Sequence, residues 1–414
     1  MKLRVRQVFR VVLFGLFMLG ALYVAGVLSI LRPWETGGDF SAARQEAETL
    51  LGASPGPLSR TGDIATLRLS GSPYARGYLH GRLLASSIRE MDAILNQLMD
   101  AKAAHVPMLG KAMAVRKARW LEARTPPEYI AEMHGVADGS GVPYADILLF
   151  NVFDDLMYVH GCSSLGLEQG PASGEWLHAR NLDYLLHQLA RFKTVLIYDS
   201  PGCRYLSVGF PGYIGVLTGF NDRGISLSAH TSISADNAVG IPTGFLYRKI
   251  MEEAESLDEA LAILREGPRT IGNNLLLGSY RENRFVAAEV TARRCETRAP
   301  AGGVIAVTNH FQCAPLGELQ RGPDRLLQGS RQRDKTLREF QSGLGRAAGV
   351  ADVQRWFASP KGQGAVFPSV ANKGTVQGVI FAPAEGAFYV AKGNKTPVTT
   401  SGYLRLALPF PLAP

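Results

Sequence analysis

Residues 161–167 read GCSSLGL and residues 175–184 read EWLHARNLDY, and this stretch decides how the rest of the chain is interpreted. The two segments predict a pair of strands with a thiol at the start of the first. Because Gly161 has no side chain, the peptide bond before Cys162 is open to attack by the thiol that follows it. Cleavage there would give Cys162 a free α-amine, whose pKa of roughly 7.7–8.0 lets it act as a general base near neutral pH. Cleavage of the Gly161–Cys162 bond would thus let one residue, Cys162, supply both the nucleophile and the base.

A buried structural cysteine is the alternative interpretation of an isolated Gly-Cys pair, because free cysteine is among the most buried residue types. The run RNLDY at residues 180–184 favours the nucleophile. Arg180 and Asp183 are three residues apart, so on one continuous strand their side chains would face opposite ways. We therefore expect the strand to end near Arg180, which lets Asp183 turn back towards Cys162.

The segment GCSS from Gly161, followed by ARNLDY at residues 179–184, resembles the N-terminal-nucleophile hydrolases. Within them the chain resembles the group that contains penicillin acyl-coenzyme A:isopenicillin N acyltransferase, N-acylethanolamine acid amidase, acid ceramidase and choloylglycine hydrolase. The resemblance implies that Cys162 is the nucleophile, that Arg180 lies beside its sulfur and that Asp183 hydrogen-bonds the freed amine. It also implies an α+β fold, the αββα sandwich in which two antiparallel sheets pack face to face with helices outside.

The pattern of predicted elements changes at Cys162. Residues 35–161 are predicted to be mainly helical, and YARGYLHG at residues 74–81 resembles the entry to a helix in the same group. After Cys162, short alternating or β-branched runs predict strands. We expect a signal anchor or signal peptide over residues 1–34, a helical α-chain over residues 35–161 and a β-chain over residues 162–414. The two chains are expected to form one αββα domain.

Two further motifs resemble elements of the same group. Residues 307–311 read VTNHF after a predicted strand, which implies that the side-chain amide of Asn309 donates to the oxyanion of the tetrahedral intermediate. A turn asparagine is the alternative. Residues 322–325 read GPDR at the start of a predicted helix, which implies that Arg325 is a second active-site arginine, with Arg321 as the competing assignment.

The second oxyanion donor is left open by the sequence. Bile-salt hydrolases have an asparagine on the strand that follows an Asn-x-x-Gly hairpin, whereas residues 228–232 here read SAHTS. We expect His230 or Thr231 to bind substrate, with a plain strand position as the alternative for each.

Residues 11–31 form an apolar run of 21 residues, VVLFGLFMLGALYVAGVLSIL. At 1.5 Å per residue a helix of this length spans the hydrocarbon core of a bilayer. Lys2, Arg4, Arg6 and Arg10 precede the run, so the positive-inside rule places the N-terminus in the cytoplasm and the remaining chain outside. We expect an inner- or plasma-membrane anchor with an extracytoplasmic, periplasmic catalytic part. A cleaved signal peptide, and hence a secreted protein, is the alternative.

Composition and residue spacing argue against several other classes of protein. The net charge is +8, much of it carried by basic residues near the N-terminus, and no patch rich in lysine, arginine and aromatic residues indicates nucleic-acid binding. The eight histidines are scattered without a His-Glu-x-x-His motif, so we expect neither a metal site nor a cofactor. Beside the predicted nucleophile, Cys203, Cys295 and Cys313 permit at most one disulfide.

Taken together, the motifs predict an amidohydrolase that cleaves the linear amide of a small N-acyl substrate through a Cys162 thioester. Water or an amine can resolve that thioester, so an acyltransferase is the first alternative. A membrane-anchored binding protein that has lost its activity is the second alternative, although Cys162, Arg180, Asp183 and Asn309 are all intact.

Overall fold

The computed structural model describes residues 38–54, 56–102, 107–157, 160–171, 174–200, 202–344, 347–362 and 364–412, together with Met18. The predicted anchor or signal peptide at residues 11–31 therefore lies outside the described residues, apart from Met18. Among the helices of the described part, none is both long enough and apolar enough to cross a membrane.

The part of the chain before Cys162 consists of helices and one hairpin. Several of these helices begin at a proline, which is tolerated in the first turn because its missing N–H would have no partner there. The elements are α1 (Ser41–Leu51), β1 (Leu58–Thr61), β2 (Ile64–Leu69), α2 (Pro73–Leu83), α3 (Ala85–Lys102), α4 (Pro107–Glu122), α5 (Pro127–Ser140), α6 (Tyr144–Asn151) and α7 (Phe153–Leu156).

Strands dominate the rest of the chain. They are β3 (His160–Leu167), β4 (Leu177–Tyr184), β5 (Thr194–Ser200), β6 (Cys203–Gly209), β7 (Thr218–Asn221), β8 (Ile225–Thr231), β9 (Asn273–Ser279), β10 (Arg284–Val290), β11 (Cys295–Arg298), β12 (Val304–Val307), β13 (Thr375–Ala382), β14 (Ala387–Ala391) and β15 (Tyr403–Ala407). The helices among them are α8 (Thr243–Glu253), α9 (Leu257–Glu266), α10 (Ala314–Gly317), α11 (Asp324–Leu344) and α12 (Val350–Phe357).

The strands form two sheets. The nine-stranded sheet has the order β1-β2-β5-β6-β7-β8-β9-β10-β11, and the six-stranded sheet has the order β12-β3-β4-β13-β14-β15. The β2–β5 pair is parallel, and it joins a strand from before Cys162 to one from after it. The residues on both sides of the predicted cleavage point therefore contribute to the same sheet.

The buried apolar clusters show how the helices and the two sheets are layered. Between the sheets, Leu206, Phe220 and Leu276 of the nine-stranded sheet pack with Val379, Phe381 and Phe388 of the six-stranded sheet. On the outer face of the nine-stranded sheet, helical residues such as Met133, Phe245 and Leu261 pack with Leu196, Leu227 and Leu277. On the outer face of the six-stranded sheet, Leu337, Phe340 and Val353 pack with Leu165, Ala179 and Ile380. The order helix, sheet, sheet, helix is the predicted αββα arrangement.

Helices α2 and α5 pack with their backbones in direct contact. Gly77 and Gly81 on α2 face Gly135 and Gly139 on α5. A Cβ atom built on Gly77 would lie 1.9 Å from the carbonyl oxygen of Glu132, and one built on Gly81 would lie 2.4 Å from another α5 carbonyl oxygen. Backbone atoms cannot move aside as the end of a flexible side chain can, so this crossing requires glycine.

We predict that Gly77→Ala lowers the free energy of unfolding by about 3 kcal/mol or more, because the new methyl group forces the two helices apart. The control is Gly317→Ala, since a Cβ there has no neighbour within 4 Å. That variant should stay within about 0.5 kcal/mol of the wild type. Denaturant unfolding measures both, and equal midpoints for the two variants would contradict the close approach of α2 and α5.

Candidate active site

The pairing of β3 with β4 sets the geometry around Cys162. In this antiparallel ladder Gly161 lies opposite Asp183, and Ser164 lies opposite Arg180. Strand β4 continues to Tyr184, so the expectation that it ends near Arg180 is wrong. Because side chains alternate along a strand, Cys162 and Arg180 face the nine-stranded sheet, whereas Asp183 faces the other way, beside Gly161. The bond between Gly161 and Cys162 thus has the thiol on one face of the sheet and a carboxyl group on the other.

The Cys162 thiol is fully buried and contacts a guanidinium group. Arg180 Nη2 donates to Cys162 Sγ over 3.3 Å and to the carbonyl oxygen of Ala229 over 2.9 Å. Arg180 Nη1 donates to the carbonyl oxygen of Leu217 and to the hydroxyl oxygen of Thr218. Burial raises the pKa of the Cys162 thiol above its usual value, and the charge of Arg180 acts in the opposite direction. The thiol therefore needs both a base and the arginine to become a nucleophile.

Asp183 is buried beside Gly161 and accepts two side-chain hydrogen bonds. Its Oδ1 accepts from the Thr375 hydroxyl and its Oδ2 from the Asn372 amide, each over 2.7 Å. A methyl group built on Gly161 would lie 3.0 Å from Asp183 Oδ2. Burial raises the pKa of Asp183 to about 6, against the opposing effect of Arg333. This carboxyl group can therefore gain or lose a proton near neutral pH at a position next to the predicted cleavage point.

Asn309 contacts the backbone of the nucleophile. The backbone N–H of Cys162 donates to Asn309 Oδ1 over 2.6 Å, and Asn309 Nδ2 donates to the carbonyl oxygen of Thr231 over 2.9 Å. A primary amide has two N–H groups, so one remains for an acceptor in the half-buried space that Asn309 borders. The structure thus places Asn309 where it can hold the Cys162 nitrogen with its oxygen and offer an N–H to a ligand.

The second arginine at the site is Arg333, and the assignment of that role to Arg325 is wrong. Arg325 is exposed in the first turn of α11, and Arg321 donates to backbone carbonyl oxygens at the surface. Arg333 lies two turns further along α11 and is buried. It donates to the carbonyl oxygen of Cys162, to Asn309 Oδ1 over 3.0 Å and, through Nε, to the carbonyl oxygen of Phe367 over 3.0 Å.

A sequence signal for Arg333 exists in the pattern of α11. The buried positions of this helix include Ser330, Arg333, Leu337 and Phe340, at spacings of three or four residues along one face, and Asp334 beside Arg333 is buried as well. A charged residue at a position of a mainly buried helix face indicates an ion with specific partners. Sequence reasoning missed Arg333 because it used the motif at the start of the helix and not the buried face.

His230 lies between the sheets, so the expectation that it binds substrate is wrong. It is fully buried, with Nε2 2.8 Å from Ser164 Oγ and Nδ1 3.0 Å from the carbonyl oxygen of Asn274. A carbonyl oxygen only accepts, so Nδ1 carries the proton and Nε2 accepts from Ser164. Burial lowers the pKa of His230 well below its usual value, which keeps the ring neutral. Both nitrogens are therefore occupied by the protein itself.

A polar pocket opens beside Asn309. Thr231, the other residue considered at this strand, contributes to its wall. Arg333 and Asn309 supply hydrogen-bond donors, and the remaining wall is partly apolar. The lining includes Thr231, Ile233, Asn309, Arg321, Leu326, Arg333 and Phe367.

Two adjoining, mainly apolar cavities lie among helices α3, α6 and α7, and the inner one extends to Phe210 and Tyr213. Both are bordered by Leu95, Phe150 and Phe153. Tyr184 and Leu217 line the inner one, and the carbonyl oxygen of Leu217 accepts a hydrogen bond from Arg180. Leu217 therefore separates the inner cavity from Arg180, the residue that contacts the Cys162 thiol.

The described residues contain no group of three or more histidine, cysteine, aspartate or glutamate side chains placed to hold a metal ion. The four cysteines, including Cys203, Cys295 and Cys313, are free thiols in this structure. The hydrogen-bonding groups around Cys162 are instead arginine, asparagine and aspartate side chains.

Comparison with known proteins shows similarity to one family over part of the chain. The model of the acyl-coenzyme A:6-aminopenicillanic acid acyl-transferase family matches residues 171–363. This range contains Arg180, Asp183, Asn309 and Arg333 and begins after Cys162. Protein dcd1A of Dictyostelium discoideum is 30% identical over 258 residues, which are 55% of this chain and 58% of that protein.

Acid ceramidase of Rattus norvegicus is 28% identical over 242 residues, which are 51% of this chain and 59% of that enzyme. The chain thus spans little more than half the length of these curated relatives. Among solved structures, the Caenorhabditis elegans ortholog of N-acylethanolamine-hydrolyzing acid amidase is 17% identical, with a TM-score of 0.42 over 60% of this chain and 100% of that chain.

These matches confirm the predicted resemblance, and they relate the chain to the N-terminal-nucleophile hydrolases. Within that class, the family whose model it matches is the acyl-coenzyme A:6-aminopenicillanic acid acyl-transferase family.

The assignment of Arg333 gives a prediction about stability. Arg333→Lys should lower the free energy of unfolding by about 1–3 kcal/mol, because one ammonium group cannot replace the planar set of donors to Cys162, Asn309 and Phe367. Arg325→Lys is the matched control on the same helix and should stay within about 0.5 kcal/mol of the wild type. Denaturant unfolding measures both. A larger loss of stability in Arg325→Lys than in Arg333→Lys would indicate that Arg325, and not Arg333, is the second arginine of the site.

Proposed function

We propose that the protein is a self-activating cysteine amidohydrolase that cleaves the linear amide bond of an N-acyl substrate. The observation that carries this proposal is the position of the Gly161–Cys162 bond, with the thiol and Arg180 on one face of β3 and Asp183 on the other. The similarity to acid ceramidase supports it, because ceramide is itself an N-acyl amide.

Self-cleavage is proposed to produce the catalyst. Cys162 Sγ adds to the Gly161 carbonyl carbon, the carbon–nitrogen bond breaks, and the thiol proton passes to the Cys162 nitrogen. Water then adds to the resulting thioester, which releases the Gly161 carboxyl group and the thiol. Asp183 lies beside Gly161, on the face of β3 opposite the thiol, and its pKa of about 6 allows it to gain or lose a proton near neutral pH. The carbonyl oxygen of Cys162 stays bound to Arg333.

In the mature protein the new α-amine takes the proton of the same residue's thiol, as its ordinary pKa allows. Arg180 stabilises the thiolate from 3.3 Å. Sulfur attacks the substrate carbonyl, and the free N–H of Asn309 with nearby backbone N–H groups stabilises the oxyanion. The amine product leaves, and water hydrolyses the thioester.

The apolar cavities beside Arg180 are the proposed site of the acyl group. Their lining by Leu95, Phe150, Phe153 and Leu217 suits a hydrocarbon chain, because burial of apolar surface on binding is favourable. The polar pocket beside Asn309 is the proposed site of the amine part. A small N-acyl amide with an apolar acyl group is therefore the proposed substrate class.

Acyl transfer is the second candidate, because the matched family is named for it. In that reaction an amine in the polar pocket, and not water, would attack the thioester. Product analysis with an added amine distinguishes the two: an N-acylated product indicates transfer, and a free acid indicates hydrolysis.

We predict that the mature protein is two chains separated between Gly161 and Cys162. Cys162→Ala should remain one chain and be inactive, whereas Cys162→Ser should cleave slowly through an ester. Intact mass and N-terminal sequencing show the cut, and the release of amines from a set of N-acyl amides shows the activity. An active, uncut wild-type chain, or cleavage of Cys162→Ala at this bond, would exclude the proposed mechanism.

Asn309→Ala should lower turnover by a factor of roughly 10²–10³ with little change in substrate affinity, because the oxyanion exists only after attack. Activity is expressed per mole of cleaved protein, since Asn309 also contacts the nitrogen of the bond that is cleaved. Unchanged turnover with a raised KM would instead assign Asn309 to binding of the unreacted substrate.

A further inference from the structure

Phe367 has an unusual backbone next to the candidate active site. It lies in the segment between α12 and β13, and its φ of 51° is in the left-handed region that favours glycine. A residue other than glycine in such a conformation costs roughly 1–3 kcal/mol and persists only where its surroundings hold it. Here the carbonyl oxygen of Phe367 accepts a hydrogen bond from buried Arg333 Nε over 3.0 Å. The arginine that contacts Cys162 thus also fixes the Phe367 backbone.

The ring of Phe367 is held against two glycines. A Cβ atom built on Gly161 would lie 2.8 Å from ring atom Cδ2, and one built on Gly374 would lie 2.3 Å from ring atom Cε1. On its other side the same Gly161 methyl group would lie 3.0 Å from Asp183 Oδ2. Gly161 is therefore enclosed between an aromatic ring and a carboxylate, with space for hydrogen but not for carbon.

We propose that Phe367 is a positioning residue that admits only an unsubstituted α-carbon on the acyl side of the bond attacked by Cys162, first that of Gly161 and then that of the substrate. The inference rests on the proposed self-cleaving function. It deepens that function by naming the substrate class: acyl groups with a methylene next to the carbonyl.

The extension from Gly161 to the substrate follows from the shared sulfur atom. In self-cleavage, Cys162 Sγ bonds to the Gly161 carbonyl carbon as the bond to the Cys162 nitrogen breaks and that nitrogen gains the thiol proton. In substrate turnover, the same Sγ bonds to the substrate carbonyl carbon as its amine leaves with a proton. Each thioester carries its α-carbon one bond from the carbonyl carbon that Sγ holds. Phe367 also lines the pocket at Asn309, the residue proposed to hold the oxyanion of the reacting carbonyl group.

The proposed contact of Phe367 with the Gly161 α-carbon is tested by measuring self-cleavage. Four full-length proteins are compared: wild type, Gly161→Ala, Phe367→Ala and the double variant. Gly161→Ala should cleave at least ~100-fold more slowly than the wild type, because the methyl group displaces the scissile carbonyl. The double variant should cleave at least ~10-fold faster than Gly161→Ala, because the ring that causes the collision is gone. A merely structural role for Phe367 would slow cleavage in both backgrounds. A double variant no faster than Gly161→Ala would overturn the proposal.

The same strand offers a matched control. A Cβ built on Gly166 would lie 2.8 Å from the Phe285 ring, so Gly166→Ala creates a similar collision five residues beyond Gly161. That variant should cleave at nearly the wild-type rate even where its stability falls. Phe367→Leu, which keeps an apolar side chain without a ring, replaces Phe367→Ala in the comparison if the alanine variant fails to fold.

Acylation of the cleaved proteins tests whether Phe367 also restricts the α-carbon of the substrate. The probes are p-nitrophenyl octanoate and p-nitrophenyl 2-methyloctanoate, with free cysteine as the reference for their intrinsic reactivity, and intact mass follows the Cys162 adduct. The wild type should prefer the unbranched ester by ~10-fold or more, and the Phe367 variant should lose most of this preference. An equal preference for the unbranched ester in both proteins would overturn the proposal that Phe367 selects the acyl group of the substrate. A wild-type chain that remains uncut would count against the proposed function. A wild type that is cut, together with a double variant that cleaves no faster than Gly161→Ala, would count only against the proposed role of Phe367.

Discussion

The antiparallel pairing of β3 with β4 is the constraint on which the site depends. It places Gly161 opposite Asp183, so that the strand's alternation puts thiol and carboxyl group on opposite faces of one peptide bond. Each face is completed by distant parts of the chain. Arg180 is held by carbonyl oxygens of Leu217 and Ala229, and Asp183 by side chains at the start of β13. The arrangement therefore exists only when both sheets and the connection to β13 are folded.

Hydrogen bonds between the sheets fix β3 in a single register. The carbonyl oxygen of Asn274 makes His230 a donor at Nδ1, so His230 Nε2 must accept from the Ser164 hydroxyl. Ser164 then accepts from Ser228, and Ser228 accepts from His178 Nε2. Burial lowers the pKa of both histidines, which keeps this series of hydrogen-bonded side chains uncharged in the apolar core. Ser164 is two residues from Cys162 on the same face of β3. These hydrogen bonds to Ser164 therefore also fix the position of the Cys162 thiol.

The residues that sequence reasoning placed near Cys162 are those whose position follows from short motifs. Arg180, Asp183 and Asn309 lie on or directly after strands that pair with β3 or approach it. Arg333 was missed because its position depends on which face of a 21-residue helix is buried, and that is decided by packing on the six-stranded sheet. His230 was misplaced because β8 is buried on both faces, so alternation could not distinguish a pocket residue from an inter-sheet residue. The strand end near Arg180 was wrong because β13 pairs with β4 as far as Asp183, across a bulge.

The charges around the bond suggest why cleavage would be followed by departure of the new C-terminus. In the proposed reaction a neutral peptide becomes an α-ammonium group at Cys162 and a carboxylate at Gly161. The ammonium group gains a favourable partner in Asn309 Oδ1, which already accepts from that nitrogen. The Gly161 carboxylate would instead lie next to Asp183, whose Oδ2 is 3.0 Å from the Cβ position of Gly161. Two neighbouring buried carboxylates cannot both ionise without a large cost. Repulsion from Asp183 therefore favours withdrawal of Gly161, which leaves space beside Phe367 and Asn309 for the reacting carbonyl group of a substrate.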